Sequence, residues 1–401
     1  MLIRRSMLML MLSVFILSGC QGSSGSSGAT SGAVSPAVSA GVETPAPSSS
    51  TPPAVTATPK AETGSGKASE APSAIDMRTV TAVRLADAKS GWMGGKGWIA
   101  RTDDGGVKWQ VQYEVSGDVQ QLYALNGKEA WAAVGKELLG TTDGGQHWVA
   151  VGTVPNSAFL HFVTKQEAFS GNAKTMDGGK NWTFLKVPEG ITGDAYFHDK
   201  DHGWAAKQVK DTISVLRTKD GGKTWSTVMT RKTVAPLTGV MIRSAGANDA
   251  WIEMVGDSGM TQTSYALFHT KDGGKNWQTV VANSTAGGGP APGFPTGDNK
   301  GPKNSGTKPG PLYVVSPEVA FMGGQCPSCD KPNTVGWTKD GGKTWVNGKE
   351  SLTGYGETLL AMADANKGWM VTNDTVQPSV MYTTSNGGAN WTKVHAFDAP
   401  N

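Results

Sequence analysis

One eight-residue pattern recurs seven times in this chain, and it restricts the possible folds more than any other feature. A hydroxyl residue is followed two positions on by an acid, two further on by glycine, and three after that by tryptophan. The copies begin Thr102/Asp104/Gly106/Trp109, Thr141/Asp143/Gly145/Trp148, Thr175/Asp177/Gly179/Trp182 and Thr218/Asp220/Gly222/Trp225. They continue as Thr270/Asp272/Gly274/Trp277, Thr338/Asp340/Gly342/Trp345 and Thr384/Asn386/Gly388/Trp391. The Thr hydroxyl and the acid can accept hydrogen bonds from nearby amides and so close a tight turn from inside. The paired glycines supply the positive φ such a turn demands. The tryptophan opens the next strand and can cover the turn with a large apolar face. Asn386 keeps an acceptor oxygen, so the last turn is expected to form like the others.

A second repeat runs in step with the first. Each turn is preceded by a small residue and an aromatic: Gly91-Trp92, Ala130-Trp131, Ala168-Phe169, Gly203-Trp204, Ala250-Trp251, Ala320-Phe321 and Gly368-Trp369. Polar turns and short apolar runs such as Leu122-Tyr123-Ala124-Leu125 stand before these pairs. Each unit therefore reads as four short strands, with the motif between the third and the fourth, which is the grammar of a propeller blade. The expected units are about 76–116, 117–154, 155–188, 189–232, 233–283, 310–350 and 351–398. The fold class predicted is all-β, a seven-bladed propeller of four-stranded antiparallel blades over 76–398, with a Gly/Pro-rich insertion at about 284–309 that reads as loose. Most tryptophans are absorbed by the two repeats as packing residues.

The turn motif resembles the Asp-box, or bacterial neuraminidase repeat. The resemblance implies that Asp104, Asp143, Asp177, Asp220, Asp272, Asp340 and Asn386 are structural and lie away from any active site. A row of metal sites is the rival. A calcium loop needs many oxygen ligands, and most copies offer one carboxylate, so no metal and no cofactor is expected. The paired repeats are most similar to the photosystem II stability/assembly factor family, whose members are seven-bladed propellers that help assemble a membrane complex. That resemblance implies docking onto another protein, without implying the same partner.

The amino terminus reads as an address. Arg4 and Arg5 precede an apolar run that ends in Leu17-Ser18-Gly19-Cys20, the layout of a secretory signal over 1–19. The ending resembles a bacterial lipobox, which implies cleavage before Cys20 and acylation there, palmitate included. The alternative is an ordinary signal with an incidental cysteine. Residues 20–75 are Ser, Gly, Ala, Thr and Pro with few charges, a composition expected to remain a disordered tether of roughly 40 Å typical span. The expected location is the extracytoplasmic side of a bacterial membrane, held by lipid. The formal charge is +3, including the two signal arginines. With no basic stripe, a nucleic-acid partner is not expected.

In a blade, the second-to-third-strand loops and the connections between blades share one face. From the fourth unit on, those loops lengthen, at about Lys207–Thr212, Val255–Tyr265, Gly323–Val335 and Thr372–Ser379. Loop elaboration on one face is where binding usually sits. Asp257, Tyr265, Asp330 and Asp374 are the candidate binding-face residues. Cys326-Pro327-Ser328-Cys329 falls in one of these loops. A local disulfide, two idle thiols, or a redox or metal role are open, the first being the state favoured outside the cytoplasm. No catalytic constellation is visible. A sialidase-like site would need three arginines on inner strands, where only Arg84 and Arg243 fall, with Asp194 as the nearest acid; His161 and His198 lie on or near such strands too. The reading is a monomeric binding or scaffold propeller docking an envelope protein. A glycan ligand, or glycoside hydrolysis, is the alternative.

Overall fold

A computed structural model describes residues 75–297 and 300–397. The predicted signal peptide, Cys20 and the tether to residue 74 lie outside the described residues.

Every described element is a β-strand. The first sheet contains β1 (Val80–Leu85), β2 (Gly91–Thr102), β3 (Gln110–Ala124), β4 (Ala130–Val134), β5 (Glu137–Thr141) and β6 (Val149–Thr153). The second holds β7 (Leu160–Phe162), β8 (Ala168–Ser170), β9 (Ala173–Thr175) and β10 (Thr183–Phe184). The third holds β11 (Tyr196–Phe197), β12 (Gly203–Val209), β13 (Thr212–Thr218) and β14 (Ser226–Lys232). The fourth holds β15 (Gly239–Arg243), β16 (Ala250–Ser258), β17 (Thr263–Thr270) and β18 (Gln278–Asn283). The fifth holds β19 (Lys308–Val314), β20 (Ala320–Gln325), β21 (Asn333–Thr338) and β22 (Val346–Asn347). The last holds β23 (Thr358–Met362), β24 (Gly368–Thr372), β25 (Val380–Thr384) and β26 (Thr392–Ala396).

This corrects the expected seven four-stranded blades. The strands hydrogen-bond into six antiparallel sheets, five of four strands and one of six. The reason lies in two long strands of the first sheet. The first half of β2 pairs with β1 and its second half with β3. Then β3 runs on without a break, so that Gln110–Asp118 pairs back onto β2 and Val119–Ala124 pairs forward onto β4. No proline interrupts it and the Ser116-Gly117 pair stays extended within it, so two units that read as separate in sequence fuse into one sheet.

The small-aromatic pairs open the second strand of each unit, at β2, β4, β8, β12, β16, β20 and β24. Their aromatics are the core. Trp92, Phe169, Trp204, Trp251 and Phe321 have no exposure at all. The residue before must be small because neighbours press on it. A Cβ at Gly203 would meet the Phe197 ring at 2.6 Å, and one at Gly91 would meet the Arg84 carbonyl at 2.6 Å. The hydrophobic clusters bridge adjacent sheets: Trp204 and Ile213 pack with Ile252 and Phe268, and Trp251 and Leu267 pack with Leu312 and Met322. Burial at about 25 cal/mol per Å² of apolar area is what holds such sheets face to face.

The ring closes without exchanging a strand, since β23 to β26 are consecutive. The seam is made by Ser379 instead. Its N–H donates to the Arg78 carbonyl at 2.8 Å, its hydroxyl accepts from the Val80 N–H at 3.0 Å, and its carbonyl accepts from the Phe397 N–H at 3.0 Å. Val80, Met93 and Trp98 then pack against Trp369, Met381 and Phe397.

The insertion after β18 is packed rather than loose. Ala291 and Phe294 are buried, Phe294 stacks on Phe268 at 6.0 Å, and the Arg231 guanidinium lies 4.6 Å from the Phe268 ring. Asn304 is buried and its amide donates to the Gly323 carbonyl at 2.9 Å, which ties the insertion to β20.

Candidate functional site

The seven repeated turns share one hydrogen-bond scheme. At Thr218, the hydroxyl donates to Asp220 Oδ1 at 2.8 Å and accepts from the Gly222 N–H at 2.9 Å. Asp220 accepts from the Thr224 N–H at 2.8 Å and from its hydroxyl at 2.6 Å. The next N–H on the glycine side reaches back to the first turn of the same unit, as Gly221 does to the Asp201 carbonyl at 2.9 Å. The Asn386 copy keeps the pattern: its Oδ1 accepts from Thr384 at 3.0 Å and from the Asn390 N–H at 2.9 Å. At Gly144 and Gly145, φ values of 80° and 87° show why glycine is required. These bonds hold the carboxyls well below the usual range. Asp143 is lowered to about 2, by His147 first, and Asp177 to about 2, by the Asn181 amide first. Every acid oxygen named here is spent on its own turn. Arg101 and Arg217, which precede two of the turns, reach the next unit: Arg217 donates to the carbonyls of Ala247 and Gly273 at 2.9 and 3.2 Å. His269 does the same to Gly341, and is bound on its other side by Asp249 at 2.8 Å.

On the opposite face the loops are shorter than the sequence suggests, because the strands run further. The Lys207–Thr212 segment is a tight hairpin with Val209 paired to Thr212. Tyr265 is corrected from a binding-face loop to the core: it is paired within β17, has no exposure, and its hydroxyl accepts from the Asn283 amide at 2.9 Å. Asp330 and Asp374 do lie in the loops, the first exposed and Asp374 partly buried, whereas Asp257 is corrected from loop to strand: it is exposed within β16, where the pairing to β17 shifts register between Val255 and Ser258. Asp374 organises its own loop, accepting from the N–H groups of Val376 at 3.0 Å and Tyr355 at 3.2 Å. Cys326 and Cys329 are joined by a disulfide, with Cα atoms 5.4 Å apart. The Tyr355 hydroxyl donates to the Cys329 carbonyl at 3.1 Å, which knits this loop to the one holding Asp374. Apolar side chains stand out of the same face: Met260 is 97% exposed, Val376 83%, and Tyr355 56%. Val209 and Val234 add to it.

The second feature is the axis. Inner-strand residues from β1, β3, β7, β11, β15, β19 and β23 line a cavity of about 260 Å³. Arg84 and Arg243 both reach it, with His161, Tyr123, Tyr196 and Tyr313. The Arg84 guanidinium stacks 4.3 Å over Tyr123 and Arg243 stacks 3.8 Å over Phe159. Burial pushes Arg243 down to about 10, with Tyr196, Glu253 and Asp194 opposing. His161 lies in a stack against Tyr196 at 4.9 Å and is buried. Burial and the charge of Arg243 push it down to about 3, so it is neutral. Neither ring nitrogen has a hydrogen-bond partner, although the nearby Phe197 backbone opposes the lowering in part. His198 is also lowered, by burial first. Through Phe159 and Arg243 the cavity joins a groove of about 530 Å³ rimmed by Gln120, Lys136 and Asn156. This groove opens beside the short β4–β5 turn, with Gly135 and Lys136 in its lining. The sequence placed the binding surface over the later units only.

Glycoside hydrolysis calls for two carboxylates facing each other across a cleft. The residues lining the axial cavity include no Asp or Glu, and the adjoining pocket contributes Asp194 alone. Glu253 on β16 is buried with Oε2 unpartnered, and burial pushes it up to about 7 against the pull of Arg243. Sequence reasoning missed Glu253, because a strand acid gives no local sign of which sheet face it occupies.

A model of the family described as photosynthesis system II assembly factor YCF48 matches residues 161–307. Among curated proteins, none matches the chain. Among solved structures, YCF48 bound to a D1 peptide aligns at 18% identity over 78% of this chain and 92% of its own, with a TM-score of 0.46. YCF48 from Cyanidioschyzon merolae aligns at 15% identity over 78% and 94%, with a TM-score of 0.47. A Mycobacterium tuberculosis puromycin-hydrolyzing peptidase aligns at 10% identity over 82% of this chain and 56% of its own, with a TM-score of 0.50. At such identities a likeness concerns the fold alone. The chain is thus an all-β propeller whose residues 161–307 match the YCF48 family model.

Proposed function

We propose that this chain is a docking protein that binds another envelope protein in an assembly-factor-like role, held at the extracytoplasmic face of a membrane by lipid on Cys20. The observation that carries the docking part is the group of exposed apolar side chains, Met260, Tyr355 and Val376, at loops of one propeller face. Tyr355 and Val376 adjoin at Asp374, which accepts from the N–H groups of both, and adjoining exposed apolar groups mark interaction sites more often than scattered ones do. The match of residues 161–307 to an assembly-factor family model supports the same mode of action. The anchor rests on the Leu17-Ser18-Gly19-Cys20 sequence. Lipid there would keep the loop face within tether reach of membrane-bound partners.

The test is mild cross-linking in the native membrane, followed by purification and mass spectrometry. Wild type is compared with a Met260→Glu/Val376→Glu variant and with Cys20→Ser. The reading expects one envelope protein retained by wild type and lost from the double variant, and Cys20→Ser released from the membrane fraction. Equal retention by wild type and the double variant would sink the face assignment. Membrane-bound Cys20→Ser would sink the anchor.

A further inference from the structure

We propose that the axial cavity binds a carboxylate of a partner peptide, using Arg84 and Arg243 together. The peptide source rests on the docking reading above; the anion site itself does not. The first argument is charge without an ion-pair partner, since Glu253 and Asp194 act on Arg243 only from beyond contact distance. Among the described residues neither arginine is in an ion pair. Arg243 makes one hydrogen bond, to the Ile242 carbonyl at 2.8 Å. The Nε of Arg84 is buried with no partner. Guanidinium groups carry five donors each, and their strongest acceptors are carboxylates and phosphates.

A second, independent observation is His161. It is 7% exposed, lines the same cavity, and both ring nitrogens lack a partner. A buried polar group without a partner costs free energy. An incoming carboxylate and its backbone amide would meet both the donor and the acceptor that a neutral imidazole offers.

Size and access select a chain end or a short side chain. The cavity of about 260 Å³ holds little more than a residue or two. It shares Phe159 and Arg243 with the groove at Gln120, Lys136 and Asn156, which offers an extended segment polar groups beside the cavity. Tyr123, Tyr196, Tyr313 and Phe159 line the site, and burial among them lowers the local dielectric and strengthens each charge-assisted bond.

The experiment follows the ring signals of His161 by NMR in histidine-labelled full-length protein. Four probes are titrated: acetyl-Ala-Ala-Ala with a free carboxylate, its C-terminal amide, acetyl-Ala-Asp-Ala amide, and glucuronate. The proposal expects saturable shifts with the free acid or the aspartyl peptide, and none with the neutral amide. Which of those two binds distinguishes a chain terminus from an acidic side chain. Arg84→Gln and Arg243→Gln should each weaken that binding by at least about 10-fold, with folding checked by unchanged near-UV circular dichroism. If one variant fails to fold, the other and the peptide-amide comparison still decide. Equal shifts from acid and amide, no saturable shift from any probe, or unchanged binding in a folded variant overturns the site. Binding of glucuronate alone overturns the peptide assignment. None of these outcomes bears on cross-linking through the loop tips, so the docking reading stands or falls separately.

Discussion

Thr218→Val isolates what the repeated turn contributes. The substitution keeps shape and removes one hydroxyl at a residue with 1% exposure. That hydroxyl accepts from the Gly222 N–H at 2.9 Å and donates to Asp220 at 2.8 Å. The Gly222 N–H is left with no acceptor in a buried turn, which costs about 1–3 kcal/mol on its own. Asp220→Asn is the control, because the copy at Asn386 keeps its bonds with an amide in that place. The expected order is therefore a clear loss for Thr218→Val and a smaller one for Asp220→Asn. The assay is equilibrium urea unfolding followed by tryptophan fluorescence, compared at equal slope so that the midpoint reports stability. If Thr218→Val lies within about 0.5 kcal/mol of wild type, the internal hydroxyl is not what closes the turn. If Asp220→Asn costs as much as Thr218→Val, charge rather than geometry holds it.

Two further predictions concern pH. Asp143, Asp177, Asp220 and Asp272 all have folded values lowered to about 2, below their unfolded value. Their contribution is present above the unfolded value of about 4 and disappears as pH falls toward 2, so the urea midpoint should hold down to about pH 5 and then decline. A midpoint already falling between pH 7 and 5 would contradict this. Glu253 has the opposite sign: its folded value, raised to about 7, makes its burial more costly as pH rises from its unfolded value of about 4 toward 7. Glu253→Gln should therefore stabilise at pH 8, by up to about 3 kcal/mol, and change little at pH 4.5; equal effects at both pH values would show that the carboxyl is not buried neutral.

What could be read from sequence was what is set locally. Strand starts at Gly91, Ala130 and Gly203, and strand ends at Thr141, Thr218 and Thr270, lie where the repeats put them, because a turn and the residue next to it determine each other. Sheet count was not local. Whether β3 breaks at Ser116-Gly117 depends on pairing with β2 and β4 at once, and this turn-type pair suggests a break that the strand does not make. The sequence places Tyr265 at the end of a lengthened Val255–Tyr265 loop, yet pairing with Asn283 extends the strand through it. The insertion at 284–309 was misread because its composition hides one anchor, Phe294. At the axis, Arg84 and Arg243 were placed on inner strands correctly, but only closure of the ring brings them to one cavity with His161.

The most direct test of the docking account is site-specific photo-cross-linking in the native membrane. A photoreactive phenylalanine replaces Met260, Tyr355 or Val376 on the loop face, and Val149 or Phe184, which are 60% and 64% exposed on outer strands, as controls. The account predicts one adduct of the same mass from the loop-face positions and none of that mass from the outer strands. The same adduct from Val149 and Phe184, or none from Met260, Tyr355 and Val376, would contradict it.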